Sequence, residues 1–125
     1  MGVGAGDTVA VQGLGGLGHL AVQYANRMGF RVVAVSRGSS KEAFARKLGA
    51  HEYIDTEKVA DAGAALKELG GAKLVVATSP SGQGITSLIK GLGVLGKLLI
   101  LSLPGEIPID TGALVSAGVL LLLYC

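Results

Sequence analysis

Three glycines constrain this chain more than any other feature. Gly13, Gly15 and Gly18 stand at the G-x-G-x-x-G spacing inside the run Gly13-Leu14-Gly15-Gly16-Leu17-Gly18. That spacing marks a dinucleotide site when a strand precedes it and a helix follows. Gly13 permits a tight turn out of the strand. Gly15 lets the backbone approach a pyrophosphate with no Cβ in the way, and Gly18 lets the helix pack close to the sheet. The N–H groups at the helix start then face the phosphates, at the positive end of the helix dipole. The flanks agree with this reading. Residues 9–11 are an apolar run suited to a buried parallel strand. Leu17, Leu20, Ala21, Tyr24, Ala25 and Met28 recur at helical spacing, which predicts one apolar stripe over three turns. Gly29 ends the helix, and residues 32–35 form a second buried strand, completing a βαβ unit.

The end of that second strand bears on which nucleotide fits. An NAD site carries an acidic residue about 20 residues beyond the glycines, bonded to the ribose 2′-OH. No Asp or Glu occurs between Asp7 and Glu42; Ser36, Arg37, Ser39, Ser40 and Lys41 stand there instead. Arg and Lys donate charge-assisted hydrogen bonds to a 2′-phosphate, which a carboxylate would repel. Such bonds contribute roughly 1.5–3 kcal/mol each, so two favour NADP over NAD on the order of a hundredfold. The residues therefore predict an NADP site in which Ser36, Arg37 and Lys41 hold the 2′-phosphate. Ser39 with Glu42 also reads as a capping box for the next helix. Lys41 then falls in that helix's first turn, where the dipole disfavours a cation and a bound anion removes the conflict.

Strands and helices go on alternating beyond this unit. A short helix over residues 40–48 presents Phe44 and Leu48 on one face and stops at Gly49, and residues 52–55 form a third strand. Val59, Ala62, Leu66 and Leu69 mark a helix ended by Gly70-Gly71, and residues 74–77 form a fourth strand. Ile85, Leu88, Ile89 and Leu92 mark a helix ended by Gly93, and residues 97–101 form a fifth strand. After a turn at Pro104-Gly105 come a short helix over 111–116 and a sixth strand over 119–124. The pattern predicts an α/β fold, a Rossmann doubly wound parallel six-stranded sheet in the order 3-2-1-4-5-6 with helices on both faces. A cofactor would lie at the carboxyl ends of the strands, where the order reverses.

Composition excludes several classes of function. The 125 residues suit one domain, residues 1–125, with a real core. A net charge of +2 is too small to argue for nucleic acid or an anionic membrane surface. No apolar run approaches the ~20 residues of a membrane span, and no secretory signal is visible, so a cytoplasmic setting is expected. Cys125 is the single cysteine, which leaves no internal disulfide and no cysteine metal cluster. His51 reads as a surface loop residue, and Tyr24 and Tyr53 as packing residues. His19 opens the glycine-motif helix, either facing solvent or approaching the phosphates.

Gly6-Asp7-Thr8-Val9, the glycine run with His19, Lys47-Leu48-Gly49-Ala50 and Gly96-Lys97-Leu98 resemble the cofactor domain of medium-chain dehydrogenases, specifically zinc-type alcohol dehydrogenases. Ser36-Arg37 followed by Lys41 is similar to the NADP-dependent, cinnamyl-alcohol-dehydrogenase-like branch. The resemblance implies that Thr78, Ser79 and Pro80 after the fourth strand, and Ser102 and Leu103 after the fifth, line the path from adenosine to nicotinamide. It implies hydride transfer between an alcohol or aldehyde and the nicotinamide, with zinc held in a separate catalytic domain absent from this chain. No residue here matches those zinc ligands, so the chain is expected to bind NADPH without turnover and to hold no catalytic residue. The resemblance also implies a homodimer in which the edge strand 119–124 pairs across a twofold axis. Rival readings are an S-adenosylmethionine methyltransferase, which wants an acid after strand two, a non-catalytic NADP(H)-sensing module, and a zinc-free quinone reductase.

Overall fold

The structure, a computed structural model, describes residues 6–78, 82–100 and 120–123. Six parallel strands form one sheet: β1 (Thr8–Gln12), β2 (Arg31–Ser36), β3 (Glu52–Asp55), β4 (Ala72–Ala77), β5 (Leu92–Ile100) and β6 (Leu120–Leu123). Their order is β3-β2-β1-β4-β5-β6, as the alternation predicts. Among the described residues, four α-helices lie between β1 and β5: α1 (Gly16–Arg27), α2 (Glu42–Leu48), α3 (Ala62–Glu68) and α4 (Gly82–Ile89). The turn at Pro104-Gly105, the helix over 111–116 and the candidate residues Ser79, Pro80, Ser102 and Leu103 lie outside the described residues. So do Val119 and Tyr124, the ends of the last predicted strand.

Valine and alanine dominate the central strands because both faces of the sheet are covered. Side chains alternate between the faces. Val9, Val11, Val32 and Ala34 pack with Val22 and Ala25 of α1 and Ala45 of α2. Ala10, Val33, Val35 and Val75 pack on the other face with Ala62 and Leu66 of α3 and with Leu88 and Ile89 of α4. Helices α3 and α4 approach closely because Gly63 lies against the Ser87 carbonyl, where a Cβ would collide. Asp61 caps α3 by accepting the Ala64 N–H at 3.2 Å and the Ser87 hydroxyl at 2.9 Å.

The structure corrects several expectations. The large apolar residues of α1 do not face the sheet: Leu17, Leu20, Tyr24 and Met28 are exposed, Tyr24 by 64%. The buried face is Gly18, Val22 and Ala25, with Ala21 partly covered. Both sets recur at helical spacing, and the smaller set goes inward because α1 lies too close to the sheet for larger side chains. Tyr24 is thus not a packing residue. The Ser39–Glu42 capping box does not form: Ser39–Lys41 is one turn of 3₁₀ helix, and α2 starts at Glu42 with Lys41 as its N-cap residue and no side-chain cap. Leu92 opens β5 rather than closing α4, with Gly93 inside the strand, where the β4–β5 register shifts. His51 is exposed, as expected of a loop residue, but its Nδ1 accepts the Val32 N–H at 3.0 Å and so holds the start of β3 to β2.

These assignments predict opposite outcomes for two leucines. Leu66→Ala, in the core between α3 and the sheet, should cost about 2–5 kcal/mol. Leu20→Ala, on the outer face of α1, should stay within about 0.5 kcal/mol. Urea denaturation of the two variants compares them directly.

Candidate functional site

The carboxyl edge of the sheet is where polar chemistry is built in. Gln12, Ser36 and Asp55 are the buried polar residues among the described residues, and they end β1, β2 and β3. Three adjacent strands therefore finish in polar groups on one edge. Among the described residues, no buried side-chain nitrogen or oxygen lacks a hydrogen-bond partner.

The glycine turn leaves β1 beside this edge. Gly13 has φ +93°, a left-handed conformation that disfavours any side chain, and its N–H donates to the Val35 carbonyl at 2.9 Å. That bond ties the turn to the end of β2, one residue before Ser36. A Cβ on Gly18 would run into the Gly13 carbonyl and come within 3.0 Å of the Thr78 hydroxyl. A Cβ on Gly15 would meet nothing within 4 Å. Gly18 is thus a contact between helix and strand, whereas Gly15 faces open space. Gly15 is the N-cap of α1, no side chain caps the helix, and its first turn contains no acid. A helix start of this kind, with open space before it, fits an anionic diphosphate. Leu14 is half-buried against the α1 side of the core, and Leu17 is exposed.

The candidate 2′-phosphate residues share the next loop. Ser36 is buried at the end of β2, and its carbonyl accepts the Thr56 N–H at 2.9 Å. Arg37 is exposed, and its Nε donates to Glu57 Oε1 at 3.1 Å. Lys41 is exposed at the end of the 3₁₀ turn. Thr78, directly after β4, donates its hydroxyl to the Gln12 carbonyl at 2.8 Å and its N–H to the same oxygen at 3.0 Å. Its side chain therefore backs the glycine turn.

Sequence reasoning missed the contribution of β3. Asp55 Oδ1 accepts the Gly38 N–H at 2.8 Å and the Glu57 N–H at 2.9 Å, joining the loop after β2 to the loop after β3. The Tyr53 hydroxyl donates to the Gly38 carbonyl at 2.6 Å. Gly38 itself has φ +96°. The Glu57 N–H, and after it the Gly38 N–H, hold the Asp55 carboxyl below its ordinary range despite burial. Burial raises the Tyr53 phenol above its usual value, against a hydrogen bond from Ser36 that lowers it. The missed signal was available: in a 3-2-1 strand order, the run Ile54-Asp55-Thr56-Glu57 must end beside Ser36-Arg37. His19 is half-buried and stacks on Phe44 of α2, with ring centroids 6.2 Å apart.

A doubly wound sheet with a glycine turn at its switch point defines a class of nucleotide-binding proteins. The sequence matches the zinc-binding dehydrogenase family over residues 16–122, and the chain belongs to that family. It is 66% identical over 116 residues to the alcohol dehydrogenase patD of Aspergillus clavatus, covering 93% of this chain and 30% of that protein. The fold is similar to benzyl alcohol dehydrogenase from Acinetobacter calcoaceticus, with TM-score 0.90 and 26% identity, covering 98% of this chain and 35% of that one. It is also similar to the quinone oxidoreductase of Thermus thermophilus, whose structures include a complex with NADPH, with TM-score 0.83 and 30% identity, covering 98% of this chain and 40% of that one. The chain spans about a third of the length of the curated relatives it matches. Among the described residues, no three His, Cys, Asp or Glu side chains gather as a metal site, and no helix is long and apolar enough to cross a membrane.

Three variants test the site's construction. Gly18→Ala should destabilise the fold by about 1–3 kcal/mol, because the Gly13 backbone cannot move aside cheaply. Gly15→Ala, facing open space, should leave the melting temperature nearly unchanged while weakening dinucleotide binding. For Asp55 the folded carboxyl titrates below its unfolded value, so its stabilisation is present above the ordinary carboxylate range and disappears as pH falls through the folded value. Wild type should therefore melt above Asp55→Ala at pH 7, with the gap closing in acid; thermal melts from neutral pH down into the acid range measure it.

Proposed function

We propose that this chain, residues 1–125, is the NADP(H)-binding domain of an alcohol dehydrogenase. The observation that carries the reading is the uncapped start of α1, opening at Gly15 onto the carboxyl edge where β1 and β4 part the two halves of the sheet. Main-chain N–H groups after Gly13, up to Gly18 at the start of α1, hold the diphosphate, while the Gly13 N–H stays on the Val35 carbonyl. Ser36, Arg37 and Lys41 hold the 2′-phosphate, Arg37 and Lys41 through charge-assisted hydrogen bonds. Thr78, Ser79 and Pro80 come after β4 in the sequence and Ser102 and Leu103 after β5; in this reading they line the route to the nicotinamide. When bound, the nicotinamide supplies the hydride exchanged with an alcohol or aldehyde. The residues of this chain bind and orient it.

The 66% identity to a protein named alcohol dehydrogenase supports this substrate class over that of the quinone oxidoreductase at 30%. The described residues offer no ligand set for zinc; in this reading the ion belongs to polypeptide of the kind that makes the relatives longer. The chain works in the cytoplasm as a homodimer through β6, which ends the sheet with β5 on one side only. It uses neither nucleic acid nor a membrane as partner.

Calorimetric titration at fixed salt tests the cofactor assignment. NADPH should bind at least about tenfold more tightly than NADH, Arg37→Ala should erode the margin, and Ser36→Asp should shift preference toward NADH. An unchanged NADPH affinity in Arg37→Ala would overturn the 2′-phosphate assignment.

A further inference from the structure

Arg37 does not stand alone beside the proposed 2′-phosphate position. Its Nε is paired with Glu57 Oε1, and the second Glu57 oxygen lies 3.8 Å from where a Cβ on Gly38 would be. The juxtaposition is made by hydrogen bonds to the main chain of both loops rather than by two long side chains meeting by chance. Asp55 Oδ1 takes the N–H of Gly38, the residue after Arg37, and the N–H of Glu57. The Ser36 carbonyl takes the Thr56 N–H, and Tyr53 closes on the Gly38 carbonyl. These hydrogen bonds hold the two loops together, and each loop delivers one member of the pair.

The pair engages the Nε edge of the guanidinium. The two terminal nitrogens, the fork that grips a phosphate bidentately, lie outside that contact. Glu57 therefore has two opposing effects on a 2′-phosphate: it orients Arg37, and it adds a negative charge close by. Both side chains are largely exposed, at 82% and 54%, and exposed ion pairs orient weakly. A phosphate carries nearly two negative charges, so its repulsion by a neighbouring carboxylate is the larger effect. A 2′-hydroxyl has no such charge and is not repelled.

We propose that Glu57 is a specificity-determining residue that moderates the preference for 2′-phosphorylated dinucleotide and keeps the site open to NADH. It does this by neutralising Arg37 and by placing a carboxylate next to the 2′ position. The proposal rests on the NADP(H) reading above and adds to it a residue from beyond a different strand.

NADPH and NADH are titrated calorimetrically into the full chain as wild type, Glu57→Gln, Glu57→Lys and Arg37→Ala, in low and in high salt. Glu57→Gln should raise the ratio of NADPH to NADH affinity about three- to tenfold, almost entirely through NADPH. Glu57→Lys should raise it further. Both gains should shrink in ~0.5 M salt, where the screening length falls to a few ångströms. Residue 57 is exposed, and circular dichroism melts should match wild type in both variants. If Arg37→Ala weakens NADPH while Glu57→Gln and Glu57→Lys leave the ratio unchanged or lower it, the role of Glu57 is wrong and the cofactor reading stands. If Arg37→Ala also leaves NADPH affinity unchanged, the 2′-phosphate assignment falls and takes this proposal with it. A gain that persists undiminished in high salt would overturn the electrostatic account.

Discussion

The contact between Gly18 and the Gly13 carbonyl is the constraint on which the rest of this structure depends. It brings the first turn of α1 against the end of β1 with no side chain between them. Thr78 braces the same spot from β4 by returning two hydrogen bonds to the Gln12 carbonyl. The glycine turn is therefore fixed from three directions: by α1, by Thr78 after β4 and, through the Gly13 N–H bond to Val35, by β2. A helix start held this firmly presents its N–H groups in a set geometry, which is the property an anion site needs.

The same contact explains why α1 faces the way it does. A helix seated against a sheet through glycine can bury only small neighbours, and Val22 and Ala25 share that inner face with Gly18. Leu17, Leu20, Tyr24 and Met28 are left outside, with Phe44 of α2 also exposed. Their spacing is as helical as that of the buried set. Periodicity alone thus identified the helix and misassigned its inner face; side-chain size against the available depth decided the matter.

Elsewhere the legibility of the sequence followed the strength of the local signal. Six strands separated by helices implied the order β3-β2-β1-β4-β5-β6, and the sheet has that order. Gly49 stops α2 as expected, and it does so in a left-handed conformation. The weaker local signals failed. Ser39 with Glu42 had the spacing of a capping box, yet a 3₁₀ turn occupies residues 39–41 and the helix starts later. Gly93 looked like a helix stop, yet it lies within β5 at an irregular register. At the candidate site, the candidates from Ser36 to Lys41 could be grouped from the sequence because they lie close together in the chain. Asp55 and Glu57 were not, because they approach Arg37 only after β3 is laid beside β2.

Asp55 has a consequence beyond its own hydrogen bonds. One carboxylate oxygen receives main-chain N–H groups from both loops, so the spatial relation between residues 37 and 57 is written into the backbone. The side chains displayed at those two points carry little of the fold's stability, since both are largely in water. Charge at the rim of the sheet is in this way separable from the architecture beneath it. A lineage carrying this scaffold is free to exchange one rim charge for another, while the tether that frames them stays as it is.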